Sequence, residues 1–83
     1  MSLSSRSTEW LINRAQYLRD KAKALEIIIN MIKEMQIKNR ENIAFVEASE
    51  AAMRALQAQK EYILASLNMV EKEISKREVK TKK

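Results

Sequence analysis

The sequence contains no cysteine and no histidine among its 83 residues. The first absence excludes disulfide bonds and thiol nucleophiles, and the second removes the base that most often activates a serine. Together they remove the usual zinc ligands, so any metal site would consist of carboxylates alone. A glycine-rich phosphate loop and the Glu-x-x-His motif of di-iron bundles are missing too. We therefore predict a protein that is not an enzyme and uses no cofactor, metal or small-molecule substrate.

Glycine and proline are also absent, although the two together make up roughly 12% of an average sequence. Tight turns between strands rely on residues such as glycine that accept a positive φ angle. The chain is instead rich in Ala, Leu, Ile, Lys, Glu and Gln, most of which are strong helix formers. This composition predicts an all-α fold in a single domain.

Long hydrophobic runs are lacking as well. The most apolar stretch, Leu25 to Ile32, is interrupted by Glu26 and Asn30 and is far shorter than the roughly 20 residues of a membrane span. The serine-rich start has no hydrophobic core of a signal peptide. We expect a soluble, cytoplasmic protein without a membrane span, with a flexible leader over residues 1–7.

Two apolar seams with alternating spacings of four and three predict two long helices. Ser7 is the expected N-cap of the first helix, residues 8–37. The second helix is predicted over residues 43–75, with Lys60 extending its ammonium from the seam to water. The first seam comprises Leu11, Ala15, Leu18, Ala22, Leu25, Ile29 and Ile32, and the second comprises Val46, Ser49, Met53, Leu56, Lys60, Ile63, Leu67, Val70 and Ile74.

Between the seams, the apolar pattern fails at Gln36 and Asn39. A single stutter would carry one helix through this region as a straight rod. A turn at residues 38–42 is favoured because Asn39 can end the first helix in a left-handed conformation and Asn42 can cap the second. We therefore predict an antiparallel, coiled-coil-like helical hairpin.

Each helix has more apolar surface than one antiparallel neighbour can cover, and monomers rarely expose such surface without a partner. We therefore predict an interaction or scaffold protein, or a small accessory subunit, that binds through this surplus. The partner would be a second copy, giving a dimeric four-helix bundle, or a larger protein; the same aromatic residues are also typical of a simple core. The predicted interface residues are Trp10, Tyr17, Met31, Phe45, Ala48, Ala51, Ala55, Tyr62 and Met69.

The net charge of +5 is concentrated in residues 76–83, which hold five basic residues and one acidic residue. This basic C-terminal tail is typical of a solvated helix end. It also suggests an alternative function, a nucleic-acid-binding regulator or architectural protein, in which the tail and the basic residues of helix 1 contact phosphates or an acidic partner. The candidate contact residues are Arg14, Arg19, Lys21, Lys23, Lys76, Arg77, Lys80, Lys82 and Lys83.

Overall fold

The computed structural model describes residues 2–81, with side chains through residue 78, and shows an antiparallel helical hairpin. A short 3-10 turn at Leu3–Ser5 precedes α1 (Thr8–Lys38), and α2 (Ile43–Thr81) returns alongside it. The described residues contain no strand. The predicted all-α hairpin is therefore confirmed, and the straight rod is excluded. The Cα atoms span 62 × 21 × 15 Å.

The core lies along the two predicted seams. Helix α1 contributes a continuous row of buried side chains. In α2, most of the buried side chains lie in the half next to the chain termini. Near the turn, Val46 and Met53 are only half-buried, so packing between the helices is tighter at the open end of the hairpin than at the turn. The buried residues are Leu11, Ala15, Leu18, Ala22, Leu25, Ile29, Ser49, Ile63, Leu67 and Val70.

Side-chain caps fix the helix starts. The Ser7 hydroxyl accepts a hydrogen bond from the Trp10 amide at 3.1 Å, and the Asn42 side chain accepts one from the Phe45 amide at 3.1 Å. Each cap satisfies a backbone donor that has no partner within its helix. Both predicted caps are confirmed, and the Asn42 cap is what restarts the chain as α2.

Asn39 ends α1 by a different route from the one predicted. Its backbone has φ −117° and ψ 27°, so it is not left-handed. Instead, its side-chain amide donates to the Met35 carbonyl at 2.8 Å, and its backbone amide reaches the same carbonyl at 3.0 Å. Because the side chain satisfies the helix end, no positive φ is needed.

Gln36 interrupts the apolar seam with a polar contact across the two helices. Its amide donates to the Ser49 hydroxyl at 3.0 Å, and that hydroxyl donates to the Val46 carbonyl at 2.9 Å. Ser49 is buried, with 6% of its surface exposed. The seam therefore ends near the turn in a hydrogen-bonded pair, and Gln36 remains inside α1.

The end of the second helix and the N-terminal leader both differ from what the sequence predicts. Helix α2 continues to Thr81, whereas the predicted helix stopped at residue 75. The leader is packed rather than detached, because Leu3, like Trp10 and Ile74, packs against the core. Burial of Leu3 and the hydrogen bonds that Arg77 makes with the leader account for this placement.

Candidate protein-binding face

Tyr17 and Tyr62 lie on the same broad face of the hairpin, which we call the tyrosine face. They line a shared groove of about 230 Å³ whose floor includes Leu18 and Ile63. Tyr17 is 48% exposed and Tyr62 is 74% exposed. Aromatic rings of this exposure present a large apolar area with a polar tip, which is typical of protein interfaces.

Residues seven positions apart return to almost the same side of a helix, so apolar side chains recur along the tyrosine face beyond the groove. On α1, Tyr17 is followed by Ala24 and Met31, and on α2, Tyr62 is flanked by Ala55 and Met69. Met31 is 56% exposed and Met69 is 62% exposed. Parallel rows next to these contain Ile28, Met35, Phe45, Ala48, Ala51 and Ala52, all exposed except the half-buried Phe45.

The opposite broad face, which we call the ion-pair face, is bridged by charged side chains. Arg19 and Glu71 pair across the helices at 3.0 Å. Lys60 pairs with Glu26, so its ammonium is held by a carboxylate rather than extended into water alone. The hydrogen bond from Lys60 and its positive charge hold the pKa of Glu26 below its ordinary value, with a smaller contribution from the charge of Lys33. Exposed apolar residues also occur on this side, notably Ile12 and Leu64, but the cross-helix contacts there are ionic.

Trp10 differs from the other predicted interface residues because the chain itself covers it. Its side chain is half-buried and packs against the core. The Arg6 guanidinium lies over the indole ring, 4.6 Å from its centroid. The leader thus crosses the open end of the tyrosine face, and the accessible part of that face begins near Tyr17.

The basic residues proposed for nucleic-acid contact do not form one patch. Arg14 and Lys21 lie on the tyrosine face, with their cationic groups 5.0 and 5.6 Å from the centroid of the Tyr17 ring. Arg19 is on the ion-pair face with Glu71, and Lys23 is exposed on the outer side of α1. A cation over an aromatic ring gains about 0.5–1 kcal/mol at an exposed site, so Arg14 and Lys21 are partly engaged.

Within the predicted basic tail, Arg77 has a structural position that sequence reasoning missed. Its guanidinium donates to the backbone carbonyl of Arg6 at 2.6 Å and to the Thr8 hydroxyl at 2.9 Å, and it pairs with Glu73 at 3.3 Å. Lys76 is exposed. Lys80, Lys82 and Lys83 lie outside the described side chains. The one signal in the sequence is that Arg77 continues the four–three spacing of the second seam beyond Ile74.

Other kinds of functional site find little support in the part of the chain that the structure describes. Residues 2–81 contain no group of three or more carboxylates placed to hold a metal ion. Over the same residues, neither helix has a stretch apolar enough to cross a bilayer. The groove at the turn, lined by residues 37–42, is mainly polar and open. The tyrosine face is therefore the feature on which a functional argument rests.

Comparison with known proteins gives no further guidance, because no family model, curated protein or solved structure matches the chain.

Proposed function

We propose that this chain is a non-catalytic helical-hairpin interaction module that binds a protein through the tyrosine face. One observation carries the proposal: large apolar side chains recur at exposed positions along one broad face, while ion pairs bridge the other. Tyr17, Met31, Tyr62 and Met69 are each about half exposed or more. Soluble monomers rarely leave contiguous apolar patches above a few hundred Å² uncovered.

Alanines next to these residues support the same conclusion. Ala48, Ala51 and Ala55 are exposed on α2, and their short side chains let another helix approach closely. A helix laid on this face would contact the alanine row and the flanking aromatic and methionine side chains at once. The module therefore suits a helical partner better than an extended peptide, which needs the open edge of a sheet.

The alternative, nucleic-acid binding, receives less support. A basic surface for phosphates requires cations clustered on one side, whereas Arg14, Arg19 and Lys23 point to three sides of the hairpin. The two cations that do share a face, Arg14 and Lys21, flank the ring of Tyr17.

Charged substitutions at matched positions test the proposal. Ala55→Glu and Tyr62→Glu each place a carboxylate on the tyrosine face. Gln57→Glu is the matched control, because position 57 lies between them in the sequence but on the ion-pair face. Because burying an unpaired carboxylate costs several kcal/mol, the first two variants should lose the assembly that the wild-type protein forms, seen by light scattering and by proteins retained on the immobilised chain. Gln57→Glu should retain it. Equal behaviour of all three variants would contradict the proposal.

A further inference from the structure

We propose that residues 2–6 form a strap that opens and closes over the core at the terminal end of the hairpin, while both helices stay folded. The strap is the part of the leader that contains the 3-10 turn, and Arg77 holds it closed. Its opening involves no partner, so this inference goes beyond the proposed function and does not depend on it.

The most deeply buried side chain of the described residues lies where the strap crosses the hairpin. Leu11 is 0% exposed, although it belongs to the first turn of α1. Two helices side by side leave the flanks of their seam open to water, so a third element is needed to cover such a residue. Leu3 and Trp10 pack against the cluster that contains Leu11. The strap is therefore a third wall of the core at this end.

The strap is held together by its own hydrogen bonds. The hydroxyls of Ser2 and Ser4 share one of 2.8 Å, and the Ser5 hydroxyl donates to the Ser2 carbonyl at 2.7 Å. The Arg6 amide donates to the Leu3 carbonyl at 3.1 Å. Opening leaves these bonds intact and their polar groups satisfied. The strap can therefore move as one body.

A hinge lies at Arg6 and Ser7, between the 3-10 turn and α1. Both residues have extended backbone, with φ −87° and ψ 150° at Arg6 and φ −67° and ψ 155° at Ser7. The Ser7 hydroxyl and carbonyl accept from the amides of Trp10 and Leu11, each at 3.1 Å. The cap of α1 therefore lies after the hinge, and rotation about the Arg6 backbone moves the strap without unwinding the helix.

The strap is held closed mainly by one side chain. The Arg77 guanidinium donates to the carbonyls of Leu3, Ser4 and Arg6 at 3.4, 3.3 and 2.6 Å. Packing against α2 is incomplete, because a groove of about 410 Å³ lies between the strap and Met69 on that helix. Segments with few buried contacts open locally before the whole fold unfolds.

Opening changes the apolar surface that the hairpin presents. Trp10 is seven residues before Tyr17 and so continues its row on α1. With the strap open, the indole joins the exposed row, and tryptophan is enriched where interfaces bind most strongly. The closed strap is thus an autoinhibitory contact on the tyrosine face. This consequence rests on the proposed function, whereas the opening itself does not.

Heating with two probes tests the opening. Acrylamide quenching of Trp10, the only tryptophan, measures whether the indole is covered, and far-UV circular dichroism measures helix content. In the full chain, quenching should rise at temperatures where the helix signal has not yet fallen. A rise that coincides with helix loss would overturn the proposal, because the strap would then be a fixed part of the hairpin.

Leu3→Ser removes the apolar contact of the strap and keeps Arg77. It should raise the ratio of open to closed strap by about three- to tenfold, the factor for half of the burial free energy of a leucine. Leu64→Ser is the matched control, since Leu64 is 42% exposed on the ion-pair face, and it should leave Trp10 quenching as in wild type. Equal quenching in the two variants would overturn the proposal.

A covalent bridge separates strap motion from general loosening. Ser4 and Lys72 line the same groove, and the chain has no cysteine, so Ser4→Cys and Lys72→Cys can be joined by a short bis-maleimide. In the bridged protein, quenching and helix content should change together, and Leu3→Ser should no longer raise the quenching of Trp10. A bridge without effect would overturn the strap.

The apolar dye ANS tests the autoinhibitory contact. Leu3→Ser should bind more ANS than wild type, and the bridged protein less; equal binding would overturn this role. Early quenching of Trp10 together with identical behaviour of Tyr62→Glu and Gln57→Glu would keep the opening and remove the proposed function. Coincident transitions with selective loss of assembly in Tyr62→Glu would do the reverse.

Discussion

The guanidinium of Arg77 donates a hydrogen bond to the Thr8 hydroxyl at 2.9 Å, joining residues 69 positions apart at the open end of the hairpin. The same guanidinium reaches the carbonyl of Arg6 at 2.6 Å and the carboxylate of Glu73 at 3.3 Å. A single side chain thus ties the leader and the start of α1 to the last turns of α2. Without such a tie, the open end would depend on apolar packing alone.

We expect Arg77→Ala to release the leader and to lower the free energy of unfolding by about 1.5–3 kcal/mol, the range for hydrogen bonds to a charged group. Trp10 is the only tryptophan and lies beside the leader, so its fluorescence emission should shift to longer wavelength as water reaches the indole. Urea unfolding followed by this emission measures both effects. Lys76→Ala, at the exposed neighbouring position, should change neither; an equal effect in both variants would contradict the role assigned to Arg77.

The Lys60–Glu26 pair predicts a pH dependence of stability. Because Lys60 lowers the pKa of Glu26 in the folded state, the pair stabilises the fold at pH values above the unfolded-state pKa of about 4.3. This stabilisation is lost as the pH falls through the lower folded-state pKa. Glu26→Gln should therefore be less stable than wild type at neutral pH, and the difference should vanish in acid.

Thermal unfolding between about pH 2 and pH 7, spanning the ordinary glutamate pKa, would follow this convergence. Glu61→Gln, which removes an exposed carboxylate without an ion pair in the described chain, is the control. A constant difference between Glu26→Gln and wild type at every pH would contradict the prediction.

The helical hairpin could be predicted from the sequence because apolar spacing and helix caps are local features. The seam residues from Leu11 to Ile29 recur at heptad spacing. Any fold that left them exposed would lose the free energy gained by burying their apolar surface. Ser7 and Asn42 were identified as caps because a cap depends on only three or four neighbouring residues. Such features are decided by residues close together in the chain.

Contacts between distant residues could not be predicted in the same way. Arg77 was assigned to a basic tail because its charge run is visible in the sequence, while its partners Arg6 and Thr8 lie about seventy residues earlier. Lys60 was expected to extend its ammonium into water, because its partner Glu26 belongs to the other helix and the pairing is not visible in the sequence. The same limit applies to the candidate site: the sequence named Tyr17 and Tyr62, but only the hairpin register shows that they share one groove.

The Gln36–Ser49 contact predicts strong coupling between two positions on different helices. Ser49→Ala removes the nearer acceptor of the Gln36 amide and leaves it only the 3.4 Å contact with the Val46 carbonyl, so we expect a loss of about 1 kcal/mol. Gln36→Leu combined with Ser49→Ala replaces both partners by apolar side chains and continues the seam toward the turn. We expect the double variant to be at least as stable as wild type.

A double-mutant cycle by chemical unfolding measures this coupling. Gln16→Leu is a matched control, since Gln16 is exposed on α1 and bonds only to neighbours in the same helix. Additive effects of the Gln36 and Ser49 substitutions would show that the hydrogen bond contributes little.

Because the basic side chains point to different sides of the hairpin, we predict weak binding to nucleic acid. Arg19 is paired with Glu71, and Arg14 and Lys21 flank Tyr17 on the opposite face, so a nucleic-acid strand would meet only part of the positive charge at once. We expect no measurable binding of fluorescent DNA or RNA at about 150 mM salt, and at low salt only weak binding with a shallow salt dependence, because each phosphate contact adds about 0.9 to the slope for duplex DNA. Removal of residues 78–83, which leaves Arg77 in place, tests the tail separately: if the tail contacts phosphates, its loss should flatten the logarithmic slope by up to about 3 units. Binding that persists at physiological salt and depends on Lys23 would favour the nucleic-acid function over the protein-binding one, because Lys23 lies on the outer side of α1, away from the groove between the two tyrosines.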